Sequence, residues 1–148
     1  MSSPHEAVRY HDICAGHRVA GHENKCRHLH GHNYRVWFHC RADSLDKVGR
    51  VLDFAEIKSR LCYWLEDNWD HHFLIWKEDV WAEHLRVIDK SVVLVPFNPT
   101  AENMAQYLVE KVGPERLAGT GIKLVKVTVE ETRKCSATYT LPEEMIHG

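Results

Sequence analysis

From His30 onward the side chains alternate in character. His30, His32, Tyr34, Val36, Phe38 and Cys40 fall on one face and Asn33, Arg35, Trp37, His39 and Arg41 on the other. A period of two is the signature of a β-strand, and here the first face is the more apolar. The chain must therefore build a sheet that buries this face, with His30 and His32 on the buried side at one end. Of the twelve histidines, four lie between His22 and His32, with His17 just upstream. Imidazole serves both as a metal ligand and as an acid–base group near neutral pH, so this density points to chemistry.

The rest of the chain supplies partners for that strand. Val8 to Val19 is β-like and short, and Gly21 to Leu29 is a polar loop rich in turn formers. Asp53 can cap a helix whose apolar stripe is Phe54, Ile57, Leu61, Trp64 and Leu65. After a polar break at Glu66-Asp67-Asn68, Val92 to Val95 forms a short apolar extended segment. Thr100 can cap a second helix with Ala101, Met104, Ala105, Leu108 and Val112 on one face, and Gly113-Pro114 is expected to end it. The final strands run from Ile122 to Glu131 and from Cys135 to Leu141. The order is ββ–α–α–ββ, an α+β arrangement in which two helices cover one face of an antiparallel sheet. No repeat or long linker interrupts it, so residues 1–148 read as a single domain.

Charge and composition narrow the function classes. Lys plus Arg total 19 against 21 Asp plus Glu, which leaves no basic footprint for nucleic acid or an anionic membrane. The longest strongly apolar run stops at Pro96, far short of the ~20 residues of a membrane helix. The first residues lack the basic start and apolar core of a signal peptide, so a cytoplasmic location is expected. Five cysteines without a CxxC pair argue for reduced thiols over a disulfide framework. Cys14, Cys40, Cys62 and Cys135 fit small apolar core positions.

Four features could carry chemistry. Histidines at i and i+2 on a strand share a face and can share one metal ion, as in Cys26-Arg27-His28-Leu29-His30-Gly31-His32. An isolated His-x-His is commonly a hydrogen-bonded pair, so a third ligand is needed. His17 at the end of the preceding strand is well placed, with His22 and His28 as alternatives. Three imidazoles with one open position describe a catalytic zinc site. Cys26 lies in the polar loop and off any apolar face, where a cation and imidazoles would favour its thiolate. Asp70-His71 can act as an acid–base dyad, although His72 could take the same part. Finally, Glu131 continues the row Val125, Val127, Val129, and a carboxylate on a buried face needs a partner. Two N–H donors on a ligand would suit it.

These motifs, in order, resemble the 6-pyruvoyl-tetrahydropterin synthase / 6-carboxy-tetrahydropterin synthase family. The matching residues are Ala15-Gly16-His17-Arg18, Gly21-His22-Glu23, Cys26 through Tyr34, Leu52-Asp53-Phe54, Asp70-His71, Pro99-Thr100-Ala101-Glu102-Asn103 and Glu131-Thr132. The resemblance implies zinc on His17, His30 and His32, a cysteine general base at Cys26, the Asp70–His71 pair, and a pterin-anchoring carboxylate at Glu131. It also implies the tunnelling fold, whose subunits commonly close their sheets into a trimeric barrel stacked as a hexamer, with active sites between subunits. Cys26 and His30 are separated by three residues, similar to the bacterial 6-carboxy branch; the animal pyruvoyl enzymes have a longer gap.

The implied reaction converts 7,8-dihydroneopterin triphosphate to 6-carboxy-5,6,7,8-tetrahydropterin with release of acetaldehyde and triphosphate, a step toward queuosine and related deazapurines. The alternatives are the 6-pyruvoyl reaction, which eliminates triphosphate without cleaving the side chain, and a non-catalytic zinc or pterin-binding homologue. Lys25, Arg27 and Arg18 are candidates for the triphosphate. The segment from Ile75 to Lys90 departs from the family pattern.

Overall fold

The computed structural model of the chain describes residues 4–21 and 27–146. Strands β1 (Ala7–His17) and β2 (His30–Ala42) pair antiparallel along β1's whole length, with His17 opposite His30. β2 then pairs antiparallel with β5 (Ile122–Glu130), and β5 with β6 (Ser136–Thr140). These are the four strands expected from the sequence, though β1 begins one residue earlier and ends two residues sooner than its pattern suggested. The apolar face of β2 is the buried one, with Tyr34, Val36, Phe38 and Cys40 almost fully enclosed.

Two short strands extend this sheet beyond the ββ–α–α–ββ order. β3 (His72–Trp76) lies parallel to β1, and β4 (Val93–Val95) lies parallel to β3. The sheet therefore runs β4-β3-β1-β2-β5-β6 and is mixed. β3 escapes sequence reading because its five residues alternate too briefly to separate from a helix end. Between β3 and β4 the chain forms a short helix, Ala82–Ile88, within the 75–90 segment.

Two long helices cover one face. The first runs through Phe54–Ile57, a wider π-helical turn at Lys58–Cys62, and Tyr63–Asn68. Asp53 caps it by accepting the Ala55 N–H, as its position predicts. Ile57, Leu61 and Leu65 are buried against the sheet, whereas Phe54 at the first turn is exposed. The second runs through Ala101–Tyr107, Leu108–Val112 and Gly113–Arg116, with the Thr100 hydroxyl accepting from Asn103 N–H.

This second helix passes through Gly113-Pro114, where termination was expected. The Gly113 N–H reaches back five residues to the Leu108 carbonyl. That wider turn falls where Pro114 has no N–H to give, so the helix tolerates the proline. Gly113 also permits a close approach to the sheet, because a Cβ there would stand 2.8 Å from Cβ of Leu124. The core between helices and sheet joins Ile13, Val36, Phe38, Leu61, Met104 and Val127. Of the cysteines assigned to it, Cys40 and Cys62 are buried, but Cys14 and Cys135 are exposed. Cys14 sits on the outward phase of β1, and Cys135 lies in the turn before β6.

Candidate metal centre and adjoining cleft

The β1–β2 register brings the three histidines together. His17 ends β1, His30 begins β2 opposite it, and His32 follows two residues later on the same face. Their ligand atoms lie within 4.8 Å of one another. Nε2 of His17 stands 3.0 Å from Nε2 of His30. Their Nδ1 atoms face carbonyls, Pro99 O at 2.7 Å and His28 O at 2.8 Å respectively. A carbonyl can only accept, so each Nδ1 carries the proton and each Nε2 presents a lone pair to the shared centre.

Two lone pairs at that separation repel unless a cation or proton lies between them. The third imidazole has the same need, since His32 Nε2 is buried with no hydrogen-bond partner. Tetrahedral zinc at ordinary Zn–N lengths sets its nitrogens about 3.4 Å apart, against 3.0 Å between the Nε2 atoms of His17 and His30 and no more than 4.8 Å across the three ligand atoms. The three residues fit a zinc ion.

Burial favours the neutral ligand form. It pushes His17 down to about 4, against the opposing hydrogen bond to Pro99, with His30 and His32 pushing the same way as burial. Burial likewise holds His32 below the usual imidazole range, opposed by the nearby Glu131 carboxylate.

Glu131 lies one residue beyond β5, in phase with Val127 and Val129, and its side chain is half-buried. Its N–H donates to Cys135 O, which fixes the entry to the β5–β6 turn. The carboxylate stands 3.4 Å from His17 Nε2 and 3.7 Å from His32 Nε2. Glu131 and the histidines are thus brought together within one chain. Only the strand phase was legible in the sequence; the proximity to the imidazoles comes from the β2–β5 pairing.

Asp70 and His71 sit in the reversal between the first long helix and β3. Asp70 Oδ1 accepts the Cys14 N–H at 2.9 Å, while the His71 N–H donates to Cys14 O at 2.6 Å. These bonds dock the turn on the edge of β1 and hold His71 at φ 61°, a left-handed conformation costing roughly 1–3 kcal/mol. Asp70 Oδ2 lies 3.0 Å from His71 Nδ1, and that imidazole is 79% exposed. His72, the alternative dyad member, turns its Nδ1 to the Asp70 main-chain carbonyl instead. A cleft of about 840 Å³ is lined by His32, Asp70, His71 and Glu131 among others.

The remaining candidates separate. Arg18 is paired with the buried Asp79, donates to Arg27 O and packs 3.9 Å over the Trp81 ring. Its charge is therefore committed inside the protein and is not offered to a triphosphate. Arg27 and His28 are exposed. His22, Lys25 and Cys26 lie outside the described residues. Burial raises the Cys40 thiol to about 12 and that of Cys62 to about 11, which leaves both unreactive.

A mixed sheet backed by two helices, with histidines converging where its two longest strands meet, defines the α+β tunnelling fold. The model of the family described as 6-pyruvoyl tetrahydropterin synthase matches residues 6–142. The chain belongs to that family. It is 33% identical over 132 residues to the 6-carboxy-5,6,7,8-tetrahydropterin synthase of Rickettsia felis, covering 88% of this chain and 96% of that one.

Among solved structures, an uncharacterised protein of Wolinella succinogenes superposes with a TM-score of 0.79 at 26% identity, covering 92% of this chain and 97% of the other. The 6-pyruvoyl tetrahydropterin synthase of Caenorhabditis elegans superposes at 0.67 with 26% identity, covering 96% and 99%.

Proposed function

We propose that the protein is a zinc-dependent 6-carboxy-5,6,7,8-tetrahydropterin synthase. It would act on 7,8-dihydroneopterin triphosphate and release acetaldehyde and triphosphate. The observation that carries this reading is the convergence of His17, His30 and His32 beside Glu131, in a chain similar to synthases of that name. His17, His30 and His32 would hold the zinc, which when bound supplies Lewis-acid polarisation of the substrate's side-chain oxygens.

The chain's own residues do the rest. Glu131 fixes the pterin's adjacent N–H groups with both carboxylate oxygens, placing the side chain against the histidines. Cys26, as thiolate, takes a proton from that side chain. His71, oriented by Asp70, returns or relays one. The exposure of His71 leaves it free to meet a substrate entering the cleft. A soluble cytoplasmic enzyme assembled as trimers, paired into a hexamer, would cover the exposed sheet edges β4 and β6. Its product would feed queuosine-type deazapurine synthesis.

The 6-pyruvoyl reaction uses the same residues and is favoured by the likeness to the nematode enzyme. Incubation with 7,8-dihydroneopterin triphosphate, product mass spectrometry and an acetaldehyde assay decide between them. A 6-carboxy product with stoichiometric acetaldehyde is expected. Triphosphate release without acetaldehyde would establish the pyruvoyl reaction. Zinc and pterin binding with no turnover would make the protein a non-catalytic binder.

A further inference from the structure

The hydrogen bond from His17 Nδ1 to the Pro99 carbonyl sets the tautomer of a metal ligand, yet Pro99 lies in a connection with no regular structure. Something must hold that carbonyl in place. The neighbouring side chain does so. Asn98 Oδ1 accepts the Ala20 N–H at 3.0 Å, and Asn98 Nδ2 donates to the Ala20 carbonyl at 2.9 Å. The amide thus pairs with Ala20 as a neighbouring strand would, three residues after His17.

A closed circuit results. It runs from His17 along the chain to Ala20, across two hydrogen bonds to Asn98, through one peptide bond to Pro99, and back by its carbonyl to His17. A second amide locks the circuit from the other side. Asn103 Nδ2 donates to the Asn98 carbonyl at 2.9 Å, and the Thr100 N–H donates to the same oxygen at 2.7 Å. Asn103 is itself fixed, since its N–H is bound by the Thr100 hydroxyl that caps the helix. Neither asparagine touches the imidazoles' shared centre.

We propose that Asn98 and Asn103 are positioning residues of the metal centre. They tie the N-terminus of the second long helix to the end of β1, so that Pro99 holds His17 with Nε2 aimed at the ion. The inference rests on the zinc reading above and adds what orients the ligand. Outer-shell partners of ligating histidines typically change metal affinity by about 10–100-fold when removed. Asn98→Ala leaves the Pro99 carbonyl present but unanchored and should weaken zinc by up to that factor. Asn103→Ala should weaken it less, because the Thr100 N–H still holds the Asn98 carbonyl.

The test is zinc affinity by chelator competition for the wild-type chain, Asn98→Ala, Asn103→Ala and a control, Asn68→Ala. Asn68 donates to Trp64 O on the exposed side of the first long helix and should leave zinc unchanged. Cobalt-substituted spectra report ligand geometry, and thermal midpoints of the metal-free proteins report stability. Weakened zinc with an altered cobalt spectrum supports the proposal.

Lowered thermal midpoints with zinc affinity and cobalt spectrum as in the wild type would overturn it, because the asparagines would then serve stability alone. If Asn98→Ala does not fold, Asn103→Ala decides on the same criteria. A wild-type chain without tight zinc binding overturns the zinc reading itself, and this inference with it.

Discussion

Acid should destabilise the metal-free protein through His17, and the size of the effect follows from its burial. Its side chain is 1% exposed, and burial holds its pKa near about 4. In the unfolded chain the same imidazole titrates near ~6.5. Between these values the unfolded state binds more protons, so stability falls as pH falls. The contribution is fully present above the unfolded value and is lost as pH drops through the folded one. At pH 5 the loss from this one group is about 2 kcal/mol, rising to about 3 kcal/mol below pH 4.

One competing effect has the opposite sign. Glu131 stands 3.4 Å from His17 Nε2 and could pair with an imidazolium. If that attraction exceeded the burial penalty, mild acid would stabilise the protein. The assay is urea unfolding of chelator-treated wild type and His17→Gln at about pH 7.5 and pH 5. Gln does not titrate, so the difference in acid loss between the two isolates His17 from the remaining carboxylates and histidines. Wild type should lose about 2 kcal/mol more than the variant. Equal losses, or a wild type that gains stability in acid, would refute the reasoning.

Other substitutions divide the site by role. Replacing His17, His30 or His32 with Ala should abolish tight zinc binding and activity together; full zinc occupancy in His17→Ala, read by metal analysis, would return His22 or His28 to consideration. Cys26→Ala should keep zinc and lose turnover by ~10²–10⁴-fold, and loss of zinc would make it a ligand instead. Asp70→Asn should lower kcat more than KM, because the amide keeps one oxygen for Cys14 N–H but cannot orient a charged His71; an unchanged kcat would remove the dyad from the mechanism. Glu131→Gln should weaken pterin binding by ~1.5–3 kcal/mol, measured by calorimetry, with stability of the metal-free chain equal or higher, while Glu130→Gln does neither. An exchange of those two phenotypes would make Glu130 the pterin anchor instead.

Much of this was legible along the chain because it depends on local period and local chemistry. Alternation over β2 fixed which face is buried and put His30 and His32 on it. Asp53 and Thr100 cap helices because a side-chain oxygen at that position satisfies N–H groups whatever surrounds it. Val127 and Val129 carry Glu131 to the histidines' side of the sheet for the same reason, whereas a register shift at Val125 puts Leu124 in the core in its place.

What the sequence could not decide was everything set by contacts between distant residues. Five residues do not announce β3, whose parallel pairing depends on β1 already being in place. Arg18 carries the same charge in any context, yet Asp79 and Trp81 take it out of the site. The tautomer of His17 depends on the Pro99 carbonyl, 82 residues away, and no pattern encodes a main-chain oxygen. The sequence by itself determined which groups could bind a metal and act on a ligand. Only the tertiary structure decided which nitrogen each imidazole presents and which charges stay free, because both are fixed by partners across the fold.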